Sequence, residues 1–231
     1  MSSGHAFLAL WNDLAGGREA EYDAWHTREH VPERVAAPGF RSGRRYVAPA
    51  HPVHRWFTLY DLADLGCLET PEYRDLLDNP TPASAAMRPH FRSFLRVPCV
   101  RLGAAGSGLA GALAVLRLPD EAALPDLAAL AQEPGMVAAQ FGRRADEGSA
   151  AGRIHIGAPE TSASDAFSAV LLLEALDRAA AERIFATAAA RYLPSATPAL
   201  AAGGVYDLAF VFPASDPSER EAHRRSHWPA P

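Results

Sequence analysis

Little in these 231 residues could staple, anchor or strongly charge the chain. Two cysteines, Cys67 and Cys99, form no CxxC pair and no disulfide framework, which reads as a reducing compartment. A basic excess is missing as well. Lys and Arg number 22 against 27 Asp and Glu, a net charge of −5, whereas a nucleic-acid partner calls for a basic face. No apolar run approaches the roughly 20 residues that span a bilayer. The opening MSSGHAFLALWND lacks both the basic start and the long apolar core of a secretory leader. These absences give the expectation of a cytoplasmic protein with no nucleic acid and no membrane among its partners. What is present is ordinary globular material, 48% hydrophobic and 21% charged. A chain of this length can bury a core unaided.

The apolar pattern is written twice. Phe7–Trp11 reads as a buried strand, a helix covers about 19–35, and Pro38-Gly39 stops it. Strands follow at 40–47 and 55–62, then a helix at 70–77, a rigid Asn79–Pro82 turn, a short helix near 84–87 and a strand at 94–102. Pro98 can donate nothing to a ladder, so it suggests an edge or a bulge there. The order β-α-β-β-α-β is the ferredoxin-like unit. AAGSG at 104–108 reads as a linker, after which the pattern returns: strand 113–118, helix 120–132, a strand opened by Pro134-Gly135, strand 166–173, helix 178–192, strand 206–212. PGFRSGRRY at 38–46 and PGMVAAQFGRRA at 134–145 share Pro-Gly, an apolar residue and a later Gly-Arg-Arg. The fold class is therefore α+β, two tandem ferredoxin-like repeats, with domains at 1–103 and 109–214 and a tail at 215–231. Residues 146–165, rich in Gly, Ala and Ser, read as a long loop. Trp228 in the tail either docks on a partner surface or hangs loose.

Tyr22 to Phe40, YDAWHTREHVPERVAAPGF, carries more chemistry than a surface helix needs. His26 and His30 are four apart and share a helix face, with Tyr22 one turn earlier. Pro32 is expected to kink or end the segment just after His30, aiming that side chain into a cavity. His26-Thr27-Arg28-Glu29-His30 also spells H-x-x-E-H, the inverted zinc-protease motif, in which two histidines hold zinc and Glu29 is the general base. No third protein ligand is convincingly placed. The bland alternative is that both histidines cap, stack on Trp25 or pair with Glu29 and Glu33. What favours a site is the crowd around them. Trp11, Asp13, Tyr22, Trp25, Tyr46, Trp56 and Tyr60 all fall in the first repeat, while the second has no Trp and a plain helix, PDEAALPDLAALAQEP. One pocket lined mainly by the first half, with the second as scaffold, explains that asymmetry.

AWHTREHVPERVAAPGFRSGRRY resembles the first-helix and second-strand signature of dimeric α+β-barrel proteins, and is most similar to the EthD-like branch and its two-repeat relatives. Trp25 or His26, His30 and Pro32 match a W-x-x-x-H-x-P element; Arg44, Arg45 and Tyr46 match the strand; YRDLLDNPTP at 73–82 is also similar. The likeness covers about residues 5–100. It implies sheets that face each other around a central cavity, forming an α+β barrel. That superfamily includes cofactor-free monooxygenases of polyketide quinones, cyclases, decarboxylases, dehydratases, isomerases, haem enzymes and stress-response barrels, so fold alone does not give the reaction. Duplication leaves open a homodimer or a barrel closed within one chain.

The expected activity is that of a small-molecule enzyme with no tightly bound cofactor, carrying out cyclisation, dehydration, decarboxylation or cofactor-free oxygenation of an aromatic or polyketide-like substrate. His30 would be the general base or acid, oriented by His26 or Glu29. Arg45 would stabilise a developing enolate or phenolate, and Trp11, Asp13, Tyr22, Trp25, Tyr46, Trp56 and Tyr60 would line the pocket. Two alternatives stand beside it. One is a haem or divalent-metal enzyme using His30, His26 or His90; the other is a ligand-binding or stress-response barrel in which the histidines only pack.

Overall fold

The computed structural model describes residues 5–120, 123–145, 167–195, 197, 203–213 and 217–229. The first repeat runs β1 (Ala6–Leu14), α1 (Glu19–Trp25), a π-turn (His26–His30), α2 (Val31–Ala36), β2 (Phe40–Val47), β3 (Trp56–Leu62), α3 (Pro71–Asp78), α4 (Pro82–Met87) and β4 (Phe91–Gly106). The second runs β5 (Ala112–Leu118), α5 (Leu127–Ala131), β6 (Met136–Arg144), β7 (Ala169–Ala175), α6 (Arg178–Tyr192) and β8 (Gly203–Pro213). A last helix, α7, spans Pro217–Ala222. Each repeat is βαββαβ.

Alternation along the strands decides what faces where. On β1, Ala6, Leu8 and Leu10 pack under the helices, whereas Phe7, Ala9 and Trp11 point the other way. That second set is the inside of a closed eight-stranded barrel, ordered β1-β3-β2-β8-β5-β7-β6-β4. The repeats join at both edges: Ser42 pairs with Pro213 and Val47 with Asp207, while Cys99 pairs with Arg144 and Gly106 with Ala138. The barrel thus closes within one chain and leaves no open sheet edge between repeats. Its middle is filled by Trp11, Tyr46, Phe57, Leu59, Leu172, Tyr206 and their neighbours, and a cavity lies at one end. Gly43 lets α2 sit down on the sheet, since a Cβ there would collide with Val31. Gly39, at φ +84°, makes the turn that follows α2.

Several expectations change. Pro32 does not end the helix, which runs on to Ala36 as α2. The Val31 N–H bonds His26 O, five residues back, so the helix widens into a π-turn before the proline that cannot donate to Arg28. The plain helix expected at 120–132 shrinks to Leu127–Ala131 because Pro125 precedes it and Asp126 caps it, accepting from the Ala129 N–H at 3.0 Å. Residues 104–106, read as linker, pair with β6 across from Gln140, Ala139 and Ala138, leaving 107–111 as the connection. Pro98 is tolerated because the β6 ladder begins one residue later, at Cys99. The loop expected at 146–165 lies outside the described residues. Trp228 is neither loose nor a partner's anchor: it is 7% exposed and buried in the outer core of the first repeat. Cys67 and Cys99 are free and lie on opposite faces of the sheet.

Candidate active site

The π-turn sets the site. An inserted residue rotates the helix, and π-turns are found at functional positions. Here it packs His30 against Trp25 at a tilt, ring centres 4.4 Å apart, and His26 against His30 at 5.2 Å and against Tyr22 at 4.9 Å. A pocket of about 40 Å3 lies between this helix, α3 and the outer face of the sheet. Its floor is Leu8, Leu10, Phe40 and Tyr60; its walls are Trp25, His30, Arg34, Tyr73, Arg88, Phe91 and Phe94.

Two guanidiniums face a ring that must stay neutral. Burial first, then Arg34, His26 and Arg88, hold the His30 imidazole well below its usual pKa. His30 keeps some accessible surface, yet its Nδ1 is shielded and has no hydrogen-bond partner. The Tyr60 hydroxyl is likewise buried without a partner, and burial pushes its pKa up. Arg34 Nη1 is held by Glu33 Oε2 at 3.1 Å, and Arg88 donates to the carbonyls of Leu77 and Leu76 at 3.0 and 3.3 Å. The arrangement offers a neutral base, an idle phenol and two fixed cations on an aromatic floor.

The C-terminal segment straps the two sides of this pocket together. Arg225 donates to Glu33 Oε1 on α2 at 2.7 and 3.0 Å and to Asp75 Oδ2 on α3 at 3.0 Å. The same Asp75 oxygen takes Trp228 Nε1 and His227 Nε2, both at 2.8 Å. These contacts hold the Asp75 carboxyl below its usual range against the opposing effect of burial.

Of the residues expected at the site, His30, Trp25 and Tyr60 meet in the pocket. The others do not. His26 is buried beside it, Nε2 3.4 Å from Thr58 Oγ1, and is kept neutral by burial, Arg45 and Arg34. Glu29 does not orient His30; its Oε1 accepts from Thr81 Oγ1 at 2.5 Å and Ser84 Oγ at 3.3 Å, tying down the start of α4. Arg45 lies on the helix side but reaches Asp23 and the face of Tyr22 instead of the pocket. Tyr22 donates to Asn12 in the core, and Trp56 packs against it, covered by Arg55. Asp13 holds Arg55 at 2.7 Å. Trp11 and Tyr46 point into the barrel, because a strand's alternate residues face opposite ways. Arg34, Arg88 and Tyr73 were missed. Arg34 was within reach, four residues after His30 on the same face; nothing local marked the other two.

Neither metal reading fits these residues. Among the described residues no three His, Cys, Asp or Glu side chains gather closely enough to hold a metal ion. Glu29 is committed to hydroxyls, so the H-x-x-E-H spelling has no zinc geometry. Among the described residues no His, Cys or Met but His30 offers the pocket an axial ligand, Trp25 packs against that ring, and the closed space, too small for a haem as for any fused aromatic, holds only a few waters. His90 is not in the pocket wall.

Fold and pocket define a dimeric α+β-barrel fold completed by a single chain. No protein-family model matches the sequence, and no curated protein does. Among solved structures it is similar to an anthrone oxidase-like protein, at 11% identity and a TM-score of 0.56 over 91% of this chain and 93% of that one. It is similar also to a provisionally named monooxygenase from Fusobacterium nucleatum subsp. nucleatum ATCC 25586, at 9% identity and a TM-score of 0.51, covering 91% and 95% of the two chains. A provisionally named chlorite dismutase matches at 13% identity and a TM-score of 0.50, covering 90% and 96%. At these identities the likeness carries the fold. Among the described residues no helix is long and apolar enough to cross a membrane.

Proposed function

We propose that the chain is a small-molecule enzyme in which neutral His30 removes a proton from a flat, acidic aromatic substrate. The carrying observation is an unbonded, neutral imidazole beside two guanidiniums in an aromatic pocket. His30 takes the proton from a phenol or an activated C–H. Arg34 and Arg88 then stabilise the phenolate or enolate, and the Tyr60 hydroxyl donates to its oxygen. Such an anion is the common start of cyclisation and direct reaction with dioxygen. The last of these suits the name of the anthrone oxidase-like neighbour, and the Trp25–His30–Pro32 element suits the EthD-like branch. The pocket is smaller than a fused aromatic, so entry must part α2 from α3, the two walls that Arg225 ties together.

Deuterium exchange at the acidic carbon of 1,8-dihydroxyanthrone, under nitrogen, reads the proton step without any later chemistry. The full chain should accelerate it, and His30→Ala should lose about 10²-fold or more. Because burial and Arg34 keep His30 neutral, the rate should hold as pH falls through 6.5. Equal exchange by His30→Ala and the unaltered chain would remove His30 as the base.

A further inference from the structure

A space larger than the one beside the histidines lies elsewhere in the molecule. It lies at one end of the barrel and measures about 260 Å3. Large inward side chains plug the barrel's middle, but at this end the inward positions shrink to Ser42, Ala104 and Ala138. Charge collects where the bulk is missing. Arg101 gives Nη2 to Asp61 at 2.6 Å and Nε to Gln140 at 3.1 Å, so both acceptors are engaged. Arg44 differs. Its Nη1 donates to Glu174 Oε1 at 2.5 Å and to the Tyr46 hydroxyl at 3.1 Å, which fixes the guanidinium plane. Its Nε is buried without a hydrogen-bond partner, and both hydrogen bonds of the guanidinium run through Nη1, although the side chain is only 5% exposed. Idle donors on a buried cation are costly and call for a partner.

We propose that this end of the barrel is a second binding site, for a small carboxylic acid with an aliphatic body whose carboxylate docks on Arg44. A guanidinium fixed by one nitrogen presents the others in the geometry that carboxylates match. Ala104, Ala105, Leu109, Ala138, Val211 and Pro213 supply aliphatic walls, and among the described residues no aromatic ring lines the space. Asp61 limits the ligand to one negative charge, because a second carboxylate would lie against it. The site uses none of the residues assigned to proton removal, so it stands or falls apart from that reading.

Calorimetric titration of the full chain with hexanoate and its neutral isostere hexanamide tests the site. Hexanoate should bind one-to-one, about tenfold or more tighter than hexanamide, as expected for hydrogen bonds to a charged group. Arg44→Lys keeps a cation beside Glu174 but removes the second pair of donors, and should weaken hexanoate about tenfold or more. Ala104→Phe fills the space from its wall without touching a charge, and should abolish binding while the melting temperature holds. His30→Ala should leave hexanoate binding as it was. The proposal is overturned if hexanoate fails to bind, binds no tighter than hexanamide, or binds Ala104→Phe undiminished. Loss of binding in His30→Ala overturns it too, since that would put the acid in the helix-side pocket.

Discussion

The two repeats cover the same sheet face in opposite ways. In the second, α6 lays Ala180, Ala181, Ile184 and Ala188 on Ala112, Ala114, Leu116, Leu171 and Leu173. Small residues on both sides let helix and sheet approach closely, and the layer packs as dry core. In the first, the π-turn and α2 set His30 and Arg34 over Leu8, Leu10, Phe40 and Tyr60. Rings and guanidiniums cannot tile that surface, so a gap with unpaired polar atoms remains. One backbone plan thus yields a close-packed half and a half with a pocket, and side-chain size decides which. The division has a limit inside the barrel, where Arg44 from the first repeat meets Glu174 from the second across 2.5 Å.

That cross-repeat pair is where the two halves can be broken together. Arg44→Met should leave Glu174, 1% exposed and already pushed up by burial, without its cation. The expected loss is about 3–5 kcal/mol of stability, read by urea unfolding. Replacing both residues, Arg44→Met with Glu174→Leu, should recover most of it. A double variant as unstable as the single one would mean that the pair is not the link.

Smaller effects should separate the repeats. Ala181→Phe presses a ring into the close-packed second layer and should cost about 1–3 kcal/mol. Leu10→Phe, on the floor of the first-repeat pocket, has space to grow into and should cost less than about 1 kcal/mol. Equal costs would mean that the first layer is as tightly packed as the second.

The buried histidines of the first repeat should make the chain less stable on acidification. Burial lowers His26 and His30 well below 6.5, lowers His51, and takes His54 down to about 3, with Arg117 assisting at His54. Between the folded and unfolded pKa values the unfolded chain binds more protons, so stability is full above about pH 7 and falls as pH drops below about 6.5. His30→Ala should make that fall shallower by up to about 1.4 kcal/mol per pH unit, measured by unfolding between pH 7 and 5. An unchanged slope would place the His30 pKa near that of the unfolded chain.

Much of the architecture was legible because it rests on local signals. Alternation marked the strands, Pro-Gly the turns, and the order of elements the repeat. The H-x-x-E-H helix drew attention to His30, but it misled over Glu29, whose partners at Thr81 and Ser84 sit some 50 residues on and leave no trace nearby. Type and nearness in sequence group Trp11, Tyr46 and Arg45 with the pocket, whereas strand alternation sends the first two into the barrel. Arg88 reaches the pocket only because α3 and α4 fold back over the sheet. The tail was opaque for the same reason: Arg225 and Trp228 find their partners about 150 to 190 residues away.

The finest comparison is one oxygen atom. Tyr60 on β3 stands opposite Leu8 of β1; in the second repeat Leu173 on β7 stands opposite Ala114 of β5. Both side chains lie under helices, but only Tyr60 carries a buried hydroxyl with no partner. An unsatisfied buried hydroxyl costs stability, so Tyr60→Phe should be neutral or stabilising by up to about 1 kcal/mol, unlike most core substitutions. The same change should slow proton exchange into 1,8-dihydroxyanthrone, because the donor to the developing oxyanion is gone. Stability and activity moving in opposite directions is the mark of a group held for a ligand. A Tyr60→Phe protein that loses more than about 1 kcal/mol would instead mean that the hydroxyl already has a partner in the folded chain, making Tyr60 a core residue like Leu173.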